Sequence, residues 1–225
     1  MAKGSPRAPL MGPAFIRLLA RFNDAAAGVS PPALSEQLNA WFDWNRAVVL
    51  SKALDGAPAT VQAPLPAVGG PAAEAARVRE TLSQVIRADI AGPADSFEPY
   101  QQHYLAAQRA MLTATGRLRG RLRDLLASQA GAQAQLAELD AVMEATLSPR
   151  ELALLSRVPG LLQRHFEVLL TGASGDPSPG TTPSHSAEPL WHERFAQDLR
   201  HALLAELEFR FQPIEGLLAA LIPRQ

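Results

Sequence analysis

Four arginines occupy alternate positions in the segment RLRGRLRDLL, at Arg117, Arg119, Arg121 and Arg123. In a β-strand this spacing would place all four guanidinium groups on one basic face, which would suit a phosphate backbone. In an α-helix each residue turns by about 100°, so the arginines would instead border an apolar face on both edges. That face would consist of Leu118, Leu122, Leu125 and Leu126. The regular spacing of the leucines favours the helix.

Three environments are open to these arginines in a helix. Long arginine side chains that border an apolar face usually keep their charged ends in water, and we expect this arrangement first. Docking of a partner protein through the arginines is the next possibility. Contact with RNA or DNA is the third, and it is disfavoured by the net charge of −1 and by the absence of interleaved aromatic residues for base stacking.

The histidines offer one spacing that could hold a metal. Asp198 and His201 are three residues apart, as in the carboxylate-bridged metal sites of helical bundles. Such a site needs a second pair from another helix, and Pro189 interrupts the only other candidate, Glu188 with His192. We therefore expect a weak, exposed ion pair here and no metal.

Other catalytic and cofactor-binding motifs are missing from the sequence. It has no cysteine, no G-x-S-x-G or H-E-x-x-H motif, and no glycine-rich phosphate loop that ends in Gly-Lys-Ser/Thr. We predict a protein that is not an enzyme, with no catalytic residues and no cofactor.

Composition indicates a globular protein with a substantial core. The chain has 225 residues, of which 47% are hydrophobic and 19% charged. Arg17 and Arg21 interrupt the apolar N-terminal segment, so a signal peptide is not expected. Because no stretch of about 18 residues is free of charge and apolar, we expect no transmembrane helix and a cytoplasmic location.

Apolar residues recur with helical spacing almost throughout, and strand patterns are missing, so we predict an all-α, multi-helix bundle of six to nine helices. The longest helix should run from Ser96 to about Ala130, because Tyr104, Met111 and Leu118 recur every seven residues. Two segments rich in Pro and Gly should be linkers. The predicted divisions, which together form one bundle, are an N-terminal helical segment (1–54), a linker (55–71), a central helical hairpin region (72–170), a disordered linker (171–189) and a C-terminal amphipathic helix with an apolar tail (190–225).

Prolines and glycines predict where several helices begin and end. The sequence SPRE at 148–151 is typical of a helix start, and a kink or short break is expected at Pro159-Gly160. Shorter helices are predicted over about 44–54, with Val48, Val49 and Leu54 on one face, and over about 72–91, with Val78, Leu82, Val85 and Ile86.

The C-terminal apolar tail is expected to follow a helix break at Pro213. Its apolar side chains are Leu217, Leu218, Leu221 and Ile222. A short apolar segment of this kind either folds back on the bundle or docks on another protein. The tail and the four arginines are the predicted partner-binding residues.

Several longer motifs resemble a known family. These are GPAFIRLLARF, WFDWNRAVVLSKALDG, FEPYQQHYLAAQRAM and LLAELEFRFQPIEGLLAAL. In this order they resemble an uncharacterised proteobacterial family, domain of unknown function 3348. The resemblance implies membership and supplies no activity, cofactor or site residue.

Together these patterns predict a non-enzymatic helical protein that acts by binding an unidentified protein, which could be a second copy of the chain. The alternative is a nucleic-acid-associated regulator that uses Arg117 to Arg123.

Overall fold

The computed structural model describes residues 44–56, 69–90, 95–129, 131–173 and 191–222, together with Phe15, Leu18 and Leu19. Within these residues the chain forms six α-helices, which we number in chain order. They are α1 (Trp44–Asp55), α2 (Gly70–Arg87), α3 (Glu98–Ala127), α4 (Ala132–Leu155), α5 (Val158–Ala173) and α6 (Trp191–Leu221).

The all-α prediction is confirmed, since the described ranges contain helices and no β-strand. The total of six to nine helices stays a prediction, as do the two linkers and the five divisions of the chain. Most of each predicted linker lies outside the described residues, although α2 already begins at Gly70 and α5 extends to Ala173.

Helix α3 is the long central helix that the heptad spacing predicts, but it is not the longest, since it has 30 residues and α6 has 31. Tyr104, Met111 and Leu118 are fully or almost fully buried, as are Leu122 and Leu126, which follow them. The most extensive packing of α3 is against α6, followed by α4, while α2 contacts both α3 and α6. Helix α5 packs on α6, and α1 packs on α4. One core therefore joins α3 and α6 and positions every side chain discussed below.

The break between α3 and α4 occurs where a glycine predicts it. Gly131 has a φ of 75°, a conformation that glycine adopts without the steric cost that a Cβ atom imposes. The chain can therefore turn sharply there and bring α4 back along α3.

The predicted helix start at Ser148 is wrong, because α4 passes through Ser148 and Pro149 without a break. Pro149 cannot donate a hydrogen bond to the carbonyl of Ala145. Ala145 and Pro149 are both exposed, so water can donate a hydrogen bond to the carbonyl of Ala145, and the free-energy cost of the proline is reduced.

The actual break lies at Ser156 and Arg157, between α4 and α5. The short break expected as an alternative to a kink at Pro159-Gly160 thus occurs slightly earlier, and Pro159 and Gly160 belong to the first turn of α5. A proline is tolerated in a first turn because the amide there has no helical acceptor.

The predicted helix break at Pro213 is also wrong, since α6 continues to Leu221. A proline in a helix interior costs about 3 kcal/mol. Ile214 and Leu217, which follow it, are 0% and 2% exposed, and burying each such side chain contributes roughly 1.5–3 kcal/mol. Burial on the far side of the proline therefore outweighs the lost hydrogen bond.

The two shorter helices form near their predicted positions but with different buried faces. In α1, Val49 and Leu54 are each 50% exposed, while Ala53 is buried. In α2, Leu82 and Ile86 are buried as predicted, but Val85 is exposed and the helix ends at Arg87. Among the described helices, α1 packs mainly on α4.

From the N-terminal segment, Phe15, Leu18 and Leu19 are helical. Phe15 is buried, and its ring stacks on Phe209 of α6 with a centroid distance of 6.2 Å. The rest of the helices expected before residue 44 lies outside the described residues.

Candidate functional site

The arginine segment lies on α3, and the helical interpretation of its spacing is confirmed. Leu118, Leu122 and Leu126 are buried in the core, and Leu125 packs against it. The arginines emerge on both sides of this face, and three of them contact carboxylates of the same chain.

Arg119 and Arg123 contact two carboxylates of α4. Arg119 holds Asp140 in a bidentate pair, with Nε to Oδ2 at 2.8 Å and Nη2 to Oδ1 at 2.7 Å. Arg123 contacts both Asp140 and Glu144. Burial lowers the pKa of Arg119, but the hydrogen bond to Asp140 and the nearby negative charges raise it more, so the net shift is upward. This cluster joins α3 to α4.

The other two arginines are more open to solvent. Arg121 contacts Glu74 of α2 at 2.9 Å, and its side chain is 44% exposed. Arg117 is exposed. Of the four positively charged groups, three thus lie against the chain's own carboxylates, which weakens the positive field that a nucleic acid would need.

Of the predicted tail residues, Leu217, Leu218 and Leu221 lie in the last turns of α6, and Ile222 directly follows its end. Leu217 is buried, and Leu218 and Leu221 pack against the core. Ile222 is 68% exposed. The tail is therefore part of the bundle over most of its length.

A buried polar network lies between α3 and α6. The Glu206 carboxylate, 0% exposed, accepts hydrogen bonds from Tyr104 Oη at 2.7 Å and from Arg210 Nη2 at 2.8 Å and Nε at 3.0 Å. Gln108 Nε2 donates to Tyr104 Oη at 3.1 Å. Arg210 also contacts Glu151 of α4 at 3.1 Å. Each buried charge has a partner, as burial requires.

This network changes the titration of Tyr104. Burial raises the pKa of Tyr104 far above its ordinary value, and the negative charge of Glu206 and the hydrogen bond to it add to the rise. Its phenol therefore stays protonated and serves as a donor rather than as a base.

A polar cleft opens beside this network, between α3, α4 and α6. Its volume is about 250 Å³, and Arg119, Glu144, Glu151 and Arg210 are among its lining residues. All four carry contacts to one another or to neighbouring charged groups. The cleft is thus bordered by charges that the fold already pairs.

An apolar groove lies on the far side of Glu151, between α4 and α5. Its volume is about 370 Å³. It is lined by Leu147, Arg150, Glu151, Leu154 and Leu155 of α4, by Arg157, Val158 and Leu161, and by Phe15, Leu19 and Phe209. The leucines and phenylalanines give it an apolar floor, and the charged side chains belong to α4 and the α4–α5 turn. Leu154 stands at this groove with 54% of its surface exposed.

The predicted ion pair between Asp198 and His201 is not formed in the structure. Asp198 contacts His165 of α5, with Oδ2 at 2.8 Å from Nε2, and His201 is exposed. Among the described residues there is no group of three or more metal-ligating side chains. Glu188 lies outside them.

Comparison with known proteins identifies the family. A family model described as a protein of unknown function (DUF3348) matches residues 1–222. The chain belongs to the DUF3348 family. The predicted resemblance is thereby confirmed. No curated protein and no solved structure matches the DUF3348 chain.

The part of the DUF3348 chain that the structure describes holds no helix with the length and hydropathy needed to span a bilayer. Among those helices, α6 is the longest at 31 residues, and it carries buried charges at Glu206 and Arg210.

Neither the buried network nor the groove of the DUF3348 chain was predicted from its sequence. One signal could have found the network, since Glu206 lies three residues after Leu203 and seven after Leu199, in the buried register of α6. No comparable signal marks the groove, because its walls come from segments that are distant in sequence.

Proposed function

We propose that this DUF3348 protein is a non-enzymatic binding protein whose apolar groove accepts an amphipathic helix of another protein. The observation that carries the proposal is the groove between α4 and α5, with its leucine-rich floor and its half-exposed Leu154. A groove of this kind suits the apolar face of a helix, which presents side chains at intervals of three and four residues.

The groove has the dimensions and composition of a binding site. Its volume of about 370 Å³ lies within the roughly 300–1,000 Å³ of ligand pockets. Leu154 at the groove is 54% exposed, so part of a large apolar side chain is open to a partner.

The charges around the groove favour an acidic partner. Arg150 and Arg157 line it, and Glu151, which also lines it, contacts Arg210 at 3.1 Å. Arg157 is exposed, and Arg210 partly neutralises Glu151, so the groove offers a positive charge at Arg157 to a partner. We therefore expect acidic residues beside the apolar face of the partner helix.

The residues predicted from sequence support binding less well than the groove. Arg119, Arg121 and Arg123 contact carboxylates of the same chain, and binding through them would first have to break those contacts. The nucleic-acid alternative depends on the same arginines and gains no support from their positions.

Site-specific photo-crosslinking in the host cell tests the proposal. A benzophenone amino acid replaces Leu154 in one protein and Val168 in another. Val168 is a matched control on α5, because it is 57% exposed and does not line the groove. Crosslinks from position 154, and not from 168, to one amphipathic and acidic helix of another protein are expected.

A synthetic peptide of that helix then provides a quantitative test. Leu154→Asp should weaken its binding by at least about tenfold, because an apolar anchor is lost, whereas Val168→Asp should leave binding unchanged. Both variants alter exposed side chains, and circular dichroism should show that both fold. Crosslinks from position 154 to a second copy of the chain or to its own residues 20–43, or equal crosslinking from 168, would contradict the proposal.

A further inference from the structure

The polar cleft beside the buried network adjoins the apolar groove. Leu147, Glu151 and Phe209 line both cavities, so only these side chains separate the cleft from the groove. A helix bound in the groove therefore lies within reach of the cleft, and a long side chain on its near edge can enter it.

The cleft has the size and the walls for one long side chain rather than for a whole ligand. Its volume of about 250 Å³ is below the roughly 300–1,000 Å³ of ligand pockets. Leu112 and Leu152, which line it, are 46% and 45% exposed. Met143 and Leu147 add further apolar surface. Gly116 also lines the cleft, and a Cβ atom there would have no neighbour within 4 Å, so α3 leaves space at this point.

Glu151 has one carboxylate oxygen that is free to accept hydrogen bonds. Its Oε1 accepts a hydrogen bond from Arg210 Nη1 at 3.1 Å. Its Oε2 accepts none within the described residues, and this atom is open to solvent. Arg210 also pairs with the fully buried Glu206, so its single positive charge faces two carboxylates. Glu151 therefore keeps part of its negative charge at the border of the cleft.

The neighbouring ion pairs between α3 and α4 cannot supply the missing positive charge. They contain two arginines and two carboxylates, which are Arg119, Arg123, Asp140 and Glu144. With Arg210 and its two partners, the ion pairs around the cleft hold four carboxylates and three guanidinium groups, so one negative charge is left over. Apolar walls with one excess negative charge suit a cation carried on an aliphatic chain.

Pro213 leaves a second acceptor at the cleft. A proline has no amide hydrogen, so the carbonyl of Phe209, four residues earlier in α6, lacks the donor that a helix normally provides. Phe209 and Pro213 both line the cleft. An ammonium group, which carries three donors, suits a carboxylate and a carbonyl that border one small cleft.

We infer that the cleft receives a lysine side chain of the partner helix, and this inference rests on the helix-binding function proposed for the groove. The lysine stem packs against the apolar walls, and its ammonium group donates to Glu151 Oε2 and to the Phe209 carbonyl. A lysine suits the cleft better than an arginine because its charge is compact and its stem is flexible. The partner helix then carries acidic residues near Arg157 and a lysine near Glu151, so the charges also fix its direction in the groove.

Nuclear magnetic resonance of the methionine methyl groups tests the cleft on the full chain. Of the four methionines, Met143 lines the cleft and Met111 is fully buried in the core. The Met143 signal is assigned with Met143→Leu, and n-butylammonium chloride, which has the stem and charge of a lysine side chain, is titrated at constant ionic strength. We expect a saturable shift of the Met143 signal and no shift of the Met111 signal. Sodium butyrate, of similar length and opposite charge, should cause no saturable shift.

Three variants identify the groups that bind the ammonium. Glu151→Gln removes the charge and keeps the shape, and it should weaken butylammonium binding about fivefold, as expected for a partly exposed ion pair. Glu138→Gln, the same change at an exposed position of α4 outside the cleft, is the matched control and should leave binding unchanged. Pro213→Ala gives α6 the missing amide, so it should stabilise the fold yet weaken binding about twofold to tenfold. Circular dichroism should show that all three variants fold.

A Met143 shift that never saturates, equal binding of butyrate, or unchanged binding by Glu151→Gln would overturn the inference. Leu154→Asp, which alters only the groove, should leave butylammonium binding unchanged, so failure of the groove and failure of the cleft are distinguishable. In the peptide of the crosslinked helix, replacement of the lysine by norleucine should weaken binding to the wild-type protein about fivefold and leave binding to Glu151→Gln unchanged. A crosslinked helix without a lysine beside its apolar face would refute the lysine and leave the proposed function standing.

Discussion

The Arg210→Met variant tests how the buried network stabilises the fold. Arg210 has 6% of its side chain exposed and is paired with the fully buried Glu206. Methionine keeps most of the volume of the arginine stem but removes the charge and the donors. The variant therefore leaves the Glu206 carboxylate in the core with hydrogen bonds from Tyr104 and Gln108 but no positive charge.

The structure determines the expected size of the effect. Removing one partner of a buried ion pair costs about 3–5 kcal/mol, because the other charge stays buried without compensation. The second pair of Arg210, with Glu151, adds at most about 1 kcal/mol, since Glu151 is 31% exposed. We expect the free energy of unfolding to fall by about 3–5 kcal/mol, a large part of the 5–15 kcal/mol typical of a domain.

The double variant Glu206→Leu/Arg210→Met should be more stable than Arg210→Met alone. It removes both charges and leaves unmet only the Tyr104 hydroxyl, at a cost of about 1–3 kcal/mol. The two substitutions should therefore be strongly non-additive, as expected for residues in direct contact.

Urea unfolding followed by circular dichroism measures these free energies. Arg117→Met is the control, since Arg117 is exposed and its replacement should change stability by less than about 0.5 kcal/mol. Two results would refute the assignment of Arg210 as the essential counter-charge of Glu206. One is a fall of less than about 1 kcal/mol in the free energy of unfolding of Arg210→Met, and the other is a double variant less stable than Arg210→Met.

Three further predictions follow from the same structure. Burial raises the pKa of both tyrosines above 10.0, so tyrosinate absorbance should appear only as the protein unfolds in alkali. The contribution of the tyrosines to the free energy of unfolding should be complete below pH 10.0, the ordinary pKa of tyrosine. It should decline above this pH, because the unfolded chain then releases the tyrosine protons. Gly116→Ala should raise the free energy of unfolding by about 0.5–1 kcal/mol, because alanine favours a helix and nothing lies near the added methyl group. Gly131→Ala should lower it by about 1–2 kcal/mol, because the residue has a positive φ. Arg119→Lys should cost about 1–2 kcal/mol by breaking the bidentate pair with Asp140, while Arg121→Ala, at a more exposed pair, should cost less than about 1 kcal/mol. Chemical and thermal unfolding measure these free energies, and equal effects at the two glycines or at the two arginines would contradict the reasoning.

The local pattern of the sequence was sufficient for the helices and for much of the core. The recurrence of Tyr104, Met111 and Leu118 predicts both the existence of α3 and its buried face, because helical spacing places such residues on one side. Gly131 predicts the following turn, because glycine tolerates a positive φ.

Only the tertiary structure determined whether the prolines end a helix and which groups the buried charges contact. Pro149 and Pro213 are strong local signals for helix ends, yet solvent exposure at the first and burial beyond the second allow both helices to continue. The partner of Glu206 is Tyr104, 102 residues away, and no local pattern encodes such a contact.

Contacts between distant residues also explain why the predicted sites differ from those in the structure. A run of four arginines is visible in sequence, but its charges are compensated by Glu74, Asp140 and Glu144, which other helices bring to α3. The walls of the apolar groove come from α4, α5, α6 and the N-terminal segment, and they give no signal until these segments pack together. Periodicity therefore determined the helices, and long-range packing alone determined which polar groups are paired and where the groove lies.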